Sequence, residues 1–542
     1  MNIFNTITQA AATAPAFVPA PASAVAFNGA VLEPSPGWQP AVTATTKTLK
    51  GYQAAAVETI LDIHPRVVLG YEPGMGKTLI MQTVSANQVA RGVRVINIVP
   101  PSLRVSPWAE DYASDFPGLS VTHVEGMAVC EVCGKANAAR IHGTKKVKGD
   151  HNFVLASTPI PDADVAIVPD SVLQSRLQDL LDWAAKGTGQ VMVTIDEAQR
   201  FKNRTSKRTI AALALTDSQN VVSVVAATGT IADNHAGDVY APLRITGRNN
   251  AKAVSRGDSW TRFMDEWCET EMVFTGRAMV KVVKGCSDPV GLRNKLLSTC
   301  MLSVPRSQVL DLPARTWPVR NLMVNGDAAT YRRMERDFLA WVRDTRGDAA
   351  YKRAKKAEAI SKMMQLWRED GMAKVNAAAE YIENLTDQDE QVVVMAWHTD
   401  VIANLYAALT KKGITVSTVI GGMTADQKAD VVSNFQAGKV QVVLGQIRAA
   451  GTGLTLTAAS NIVFVQLPWA PGTFAQACDR IYRIGQENHC NFHILNGVGM
   501  VSQRLWETLQ NKASITDAIN TGVESTVEYE SIQEAVLSGY GW

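Results

Sequence analysis

Residues 67–78 read Val-Val-Leu-Gly-Tyr-Glu-Pro-Gly-Met-Gly-Lys-Thr. The apolar run Val67, Val68 and Leu69 has the composition of a buried strand. Gly70, Gly74 and Gly76 break that run, and an apolar, helix-compatible stretch begins after Thr78. A strand, a glycine-rich turn and a helix start leave backbone N–H groups exposed at a positive helix end, which is a site for phosphate oxygens. Lys77 is placed to reach the β- and γ-phosphates of a nucleotide, and the Thr78 hydroxyl to hold Mg²⁺. The usual loop has glycine where this chain has Tyr71, so the shorter core from Gly74 to Thr78 carries the reading.

The partners of such a loop follow downstream. Val191–Ile195 is a continuous apolar strand that ends in Asp196-Glu197-Ala198-Gln199. Adjacent acids straight after a buried strand are costly unless they bind something. Asp196 is the candidate Mg²⁺ ligand, and Glu197 the group that orients and deprotonates a water. Upstream, Gln53 heads a helical pattern formed by Tyr52, Ala55, Ala56, Val57, Ile60 and Leu61. Its amide can both donate to and accept from an adenine edge, which makes it the candidate base reader.

Other segments suit a phosphate backbone. Residues 93–99 form a β-branched strand that ends at Pro100-Pro101-Ser102-Leu103, with Ser102 and Arg104 as candidate donors. Arg200 to Arg208 holds five basic residues in nine and no acidic one. A solvated helix face usually mixes signs, so Lys202, Arg204 and Lys207 are candidate nucleic-acid contacts. Val221–Ala226 is a further strand, ending in Thr228-Gly229-Thr230.

Strand–helix alternation resumes from residue 391, with strands expected at 392–396, 416–419, 440–444 and 462–465. This second array has no phosphate loop of its own. It carries Gly451-Thr452-Gly453-Leu454 and Gln476-Ala-Cys-Asp479-Arg480-Ile-Tyr-Arg483. Arg480 and Arg483 share one helix face and could supply positive charge across a cleft to the first array's nucleotide.

The whole chain bounds these readings. Its 542 residues are 46% hydrophobic and 19% charged, enough for large cores and several domains. The net charge of +2 places any nucleic-acid contact on local basic patches, not on a global field. Residues 1–45 read as a disordered Ala/Pro-rich leader, 46–245 as a first lobe, 246–385 as a helical insertion or linker, 386–520 as a second lobe and 521–542 as a tail. Residues 125–162 look inserted into the first lobe. They hold Cys130 and Cys133, then His142 and His151, a donor set for a structural Zn²⁺, although the histidine spacings match no known finger. Seven scattered cysteines, no apolar run of about 18 residues and no basic start point to a reducing cytoplasm or nucleoid, not to secretion or a membrane.

Taken together and in order, these segments resemble superfamily-two helicases, most closely the Swi/Snf-type DNA translocases. Leu49–Gln53 is similar to their adenine-reading Q motif. Glu72–Thr78 resembles motif I, in which the missing first glycine is normal. Val99–Leu103 with Trp108 resembles motif Ia, and Asp196–Gln199 with Lys202-Asn203 and Ser206-Lys207 resembles motif II. Thr228–Thr230 with Asn234 resembles motif III. Met301-Leu302 with Leu312-Pro313 is similar to the inter-lobe linker, though Ser303-Val304 stands in place of its Arg-Arg pair. Val392–His398, Gly451–Thr457 and Gln476–Gln486 resemble motifs IV, V and VI. Gln199 where histidine is common, and Ile231 where proline usually follows motif III, are further departures. The His398-bearing motif IV and short chain resemble the fork-remodelling, strand-annealing branch.

The resemblance implies an α/β protein of two RecA-like P-loop NTPase lobes with parallel sheets and a helical insertion between them. It implies ATP and Mg²⁺ between the lobes, with Gly74, Gly76, Lys77, Thr78, Asp196 and Gly453 at the nucleotide. It gives Gln476, Arg480 and Arg483 with Lys77 and Glu197 as the catalytic set, and adds Thr457 to the nucleic-acid contacts. The expected activity is ATP-driven movement along, or remodelling of, duplex or branched DNA. The alternatives are a strand-separating DNA or RNA helicase and a catalytically silent nucleic-acid scaffold.

Overall fold

The structure is a computed structural model. It describes residues 29–126, 128–130, 153–155, 159–232, 235–274, 278–283, 285–322, 324, 328–344, 349–388, 390–451, 453–510 and 532–540. The first strand, β1 (Arg66–Leu69), comes from the apolar run that precedes the glycines. It is followed by β2 (Arg94–Val99), β3 (Val121–His123), a short antiparallel pair of β4 (Ala128–Cys130) with β5 (Phe153–Leu155), then β6 (Val165–Pro169), β7 (Val191–Ile195) and β8 (Val221–Ala227). Next come the antiparallel hairpin of β9 (Thr270–Phe274) and β10 (Met279–Val283), and the two-residue β11 (Met301–Leu302). The first sheet runs β11-β1-β8-β7-β2-β6-β3, and every pairing in it is parallel. Its central strands are buried on both faces, which is why β6 and β7 are near-continuous apolar runs instead of alternating ones, broken only by the buried Thr194.

The second lobe repeats this plan. Strands β12 (Arg315–Thr316), β13 (Val319–Leu322), β14 (Val392–Ala396), β15 (Val416–Val419), β16 (Val442–Gln446), β17 (Asn461–Phe464) and β18 (Cys490–Gly497) make its sheet. The order is β12-β18-β17-β14-β16-β15, with β13 also on β18, again all parallel. The expected α/β class with two parallel-sheet lobes is what the chain adopts. The helix Ala425–Gln436 starts on a reciprocal capping box between Thr424 and Gln427.

Residues 246–385 hold the long helices Ala329–Asp344 and Ala349–Ala373 and all but the last residue of Val375–Thr386. They also stitch the lobes together, because β11 extends the first sheet while β12 and β13 extend the second. Residues 29–45 lie against the first lobe and do not hang free. Trp38 Nε1 donates to Asp62, Asn87 exchanges hydrogen bonds with the Val42 backbone, and Ser303 N donates to Gly29 O. A Cβ at Gly29 would lie 1.7 Å from Met301 O, so only glycine fits this close pass. Part of this docking is apolar, with Trp38, Val42 and Ala44 packed against the first lobe's core. Among the described residues no helix is long and apolar enough to cross a membrane.

Candidate active site

The loop after β1 turns on two glycines with positive φ, Gly74 (81°) and Gly76 (75°), and the helix Lys77–Ala90 starts directly behind them. Tyr71 is not strained into that region. Its ring packs edge-on against Tyr52, 5.6 Å between centroids, and its hydroxyl donates to Tyr52 O. The residue that departs from the usual motif is therefore a core residue. Lys77 Nζ folds back on the loop, donating to the carbonyls of Tyr71 (2.8 Å) and Glu72 (3.2 Å). Burial pulls its pKa down, against the pull of Glu197 and Asp196.

Asp196 sits at the end of β7 with little exposure. Trp108 Nε1 donates to its Oδ2 at 3.0 Å, and Glu197 N donates to its Oδ1 at 2.9 Å. Burial, with the Glu197 charge next to it, pushes its pKa up to about 6. Glu197 has a left-handed backbone (φ 53°), unusual for a side chain of that size, and this turns the carboxylate out of the strand line into the cleft. Gln199 Nε2 donates to Glu197 Oε2 at 2.5 Å, and Thr228 Oγ1 lies 2.8 Å from Gln199 Oε1. The glutamine that replaces the common histidine thus bridges the ends of β7 and β8.

The facing wall comes from the second lobe. Arg480 Nη1 donates to Leu454 O (3.1 Å) and its Nε to Gln476 O (2.9 Å), while Arg483 Nη1 reaches Leu454 O (3.4 Å). Burial beside the Arg483 charge brings the Arg480 pKa down to about 10. The lobes are in close contact here. A Cβ added at Gly74 would meet Arg483 Cβ at 3.0 Å, and one at Gly453 would meet Leu103 Cδ2 at 2.3 Å. Between the walls lies a cavity of about 480 Å³, with Lys77, Thr78, Asp196 and Glu197 on one side and Arg480 and Arg483 on the other. Three cations, two carboxylates and a hydroxyl at the mouth of a glycine turn fit a nucleoside triphosphate with a divalent ion.

Other candidates lie elsewhere. Gln53 is buried, its oxygen accepting from Lys50 N and its nitrogen donating to Met75 O, so here it braces the loop. Gln476 gives its carbonyl to Arg480. Ser102 is exposed at the cleft mouth, and Arg104 pairs with Glu125 at 3.3 Å. In the basic run, Arg200 and Arg208 both clamp the buried Asp170, and Lys202 lies 3.7 Å from Asp238. Arg204 stacks over Trp260 at 5.3 Å, and Lys207 is exposed at a helix start. Thr457 accepts from Gln436 Nε2 at 3.2 Å, on the surface of the second lobe. Cys130 ends β4, whereas Cys133, His142 and His151 lie outside the described residues, as does Asn234. Among the described residues no cluster of His, Cys, Asp or Glu forms a metal site.

Sequence reasoning passed over two contacts. Trp108 was legible only as part of a motif, not as the donor that holds Asp196. Arg306, three residues past Ser303, carries the charge that the linker had seemed to lack, and bonds to both Glu72 and Asp479.

Comparison with known proteins agrees with this arrangement. Residues 373–485 match the helicase conserved C-terminal domain. The chain is 24% identical over 471 residues to the DNA annealing helicase and endonuclease ZRANB3 of Bos taurus, covering 86% of this chain and 40% of that protein. It is 24% identical over 474 residues to the SWI/SNF-related matrix-associated actin-dependent regulator of chromatin subfamily A-like protein 1 of Xenopus tropicalis, covering 86% of this chain and 44% of that one. The Sulfolobus solfataricus SWI2/SNF2 ATPase core domain aligns over 93% of this chain and 95% of its own, at 18% identity and a TM-score of 0.37. Over most of its length the chain is thus similar to Swi/Snf-type superfamily-two helicases, annealing helicases among them, and it carries a helicase conserved C-terminal domain. It spans about two fifths of the length of these curated relatives.

Proposed function

We propose that this chain is an ATP-driven motor that moves along, or remodels, duplex or branched DNA. The observation that carries the reading is the cavity shared by the two lobes, with acids and a phosphate loop on one wall and paired arginines on the other. Backbone N–H groups of residues 74–78 and Lys77 bind the phosphates, while Thr78 and Asp196 would hold Mg²⁺. The ion would supply positive charge against the phosphates. Glu197, kept in place by Gln199, orients the attacking water and takes its proton. Arg480 and Arg483 stabilise charge on the transferred phosphoryl group, so hydrolysis requires both lobes. Separation and closure of the walls then shift one lobe relative to the other along a strand held by Ser102, Arg204, Lys207 and Thr457.

Similarity to a protein named for DNA annealing supports DNA as the track. The test is the ATPase rate of the full chain on duplex, single-stranded and forked DNA and on RNA. Strong stimulation by duplex or forked DNA is expected. Turnover indifferent to nucleic acid would overturn the motor, and stimulation by RNA alone would overturn the track.

A further inference from the structure

We infer that Arg306 is a positioning residue: from the segment joining the lobes, it latches Glu72 of the phosphate loop to Asp479 and so sets Arg480 and Arg483 against that loop. The inference rests on the proposed ATPase reading and adds a part to it.

The geometry is a three-way junction. Arg306 N donates to Glu72 Oε1 at 2.9 Å, and its Nη2 lies 3.2 Å from Glu72 Oε2. Its Nη1 lies 2.6 Å from Asp479 Oδ1 and 3.3 Å from Pro73 O. The guanidinium also lies 5.1 Å over the Tyr482 ring, and that of Arg315, which opens β12, lies 5.1 Å from the same ring. Glu72 belongs to the first lobe, Tyr482 and Asp479 to the second, and Arg306 to the chain between them. Arg306 is 9% exposed and Asp479 3%, so these charges are screened by protein and not by water. Burial works against the Arg306 charge, but Asp479 and Glu72 outweigh it and raise its pKa.

Asp479 directly precedes Arg480, and Tyr482 directly precedes Arg483. A side chain that grips Asp479 and Tyr482 from one side therefore fixes the backbone from which both arginines project. Truncating Arg306 leaves two carboxylates uncompensated at the meeting of the lobes, and removing one partner of a buried pair is strongly destabilising to the arrangement it holds. The phosphate loop has its own turn at Gly74 and Gly76, and Arg306 touches it only through Glu72 and Pro73. Loss of the latch should thus slow chemistry far more than it weakens nucleotide binding.

The experiment uses the full chain with saturating duplex DNA and compares Arg306→Ala, Arg306→Lys and Asp479→Asn. Arg306→Ala should lower kcat by ~30–100-fold while KM for ATP, and affinity for a fluorescent ATP analogue with Mg²⁺, stay within ~3-fold. Arg306→Lys, which keeps the charge, should recover about tenfold of that loss. Asp479→Asn gives the same split if Arg306→Ala fails to fold. An unchanged kcat overturns the inference. So does loss of nucleotide affinity alongside kcat in Arg306→Ala, Arg306→Lys and Asp479→Asn alike, which would mark a merely structural residue. Should the wild-type chain hydrolyse no ATP, the motor reading fails and the latch is read without activity. Small-angle scattering must then give a larger radius of gyration for nucleotide-free Arg306→Ala than for wild type, and equal radii overturn it.

Discussion

Two strands that run into a helix, one in each lobe, make different use of the same physics. In the first lobe β1 leads through a glycine turn to the helix Lys77–Ala90, and the turn opens onto the cavity. In the second lobe β14 leads through Trp397 and His398 to the helix Thr399–Lys411. There the turn is stoppered, because the backbone N–H groups of Trp397 and His398 both donate to Gln466 Oε1 at 3.1 Å. The Gln466 amide nitrogen is held in turn by Trp367 O at 3.0 Å. Its approach requires Gly371, where a Cβ would come within 2.5 Å of Gln466 Nε2. A strand-to-helix start is an anion site only where nothing in the protein already satisfies its donors.

The largest expected effect tests whether only the open turn is chemical. Lys77→Ala or Arg480→Ala should lower the DNA-stimulated ATPase by ~10³-fold or more, and Glu197→Gln by ~10²–10⁴-fold. Near-normal turnover in any of them would remove that residue from the site.

Next in size is an opposite response of the lobes to pH. Burial lowers the His493 pKa to about 4, where its ring lies between Tyr381 and Asn461. Its contribution to the second lobe is therefore complete above about pH 6.5 and is lost as pH falls through about 4, up to ~3 kcal/mol. Asp196, raised to about 6, stabilises the nucleotide-free first lobe only at low pH, an effect lost as pH rises through 6. Asp196→Asn should therefore raise stability at pH 7.5 and not at pH 4, while His493→Gln flattens the acid limb. Denaturant unfolding across pH 4–8 measures both, and acid curves identical to wild type would refute the His493 assignment.

Gln466→Ala should destabilise the second lobe by about 1–2 kcal/mol, because it strands two half-buried donors. It should not create a second nucleotide site, which a titration stoichiometry of one nucleotide per chain would verify. The smallest effect is expected at Cys130→Ser, where ATPase stays within ~2-fold because β4 and β5 stand apart from both sheets. Loss of bound zinc together with activity would make the inserted segment part of the motor.

How much was legible in the sequence follows from the same contrast. The parallel strands could be read because burial on both faces leaves near-continuous, Val-rich apolar runs, as in β7 and β14. The cavity residues could be read because phosphate chemistry demands particular side chains at short, fixed spacings, as in Gly74–Thr78 and Asp196-Glu197. Contacts made at long range by ordinary residues left no pattern. Trp108 reaches Asp196 across 88 positions and Arg306 reaches Asp479 across 173. The basic run misled in part, because Arg200 and Arg208 neutralise Asp170, an acid 30 and 38 residues away. Charge counted along a chain does not reveal which charges the fold has already matched.

The segment that leaves β11 on one sheet and enters β12 on the other has a further consequence. Only about 12 residues separate Leu302 from Arg315, and part of that length is spent on the short helix Arg306–Val309. Even drawn out fully, such a segment reaches roughly 40 Å, at about 3.3–3.6 Å per residue. Its near end is pinned twice, by pairing with β1 and by the Gly29 strap. The first sheet's edge therefore acts as a gatepost and the segment as a short leash. Opening becomes a swing of bounded arc, and in the proposed motor the leash would set an upper limit on the stride of any single cycle.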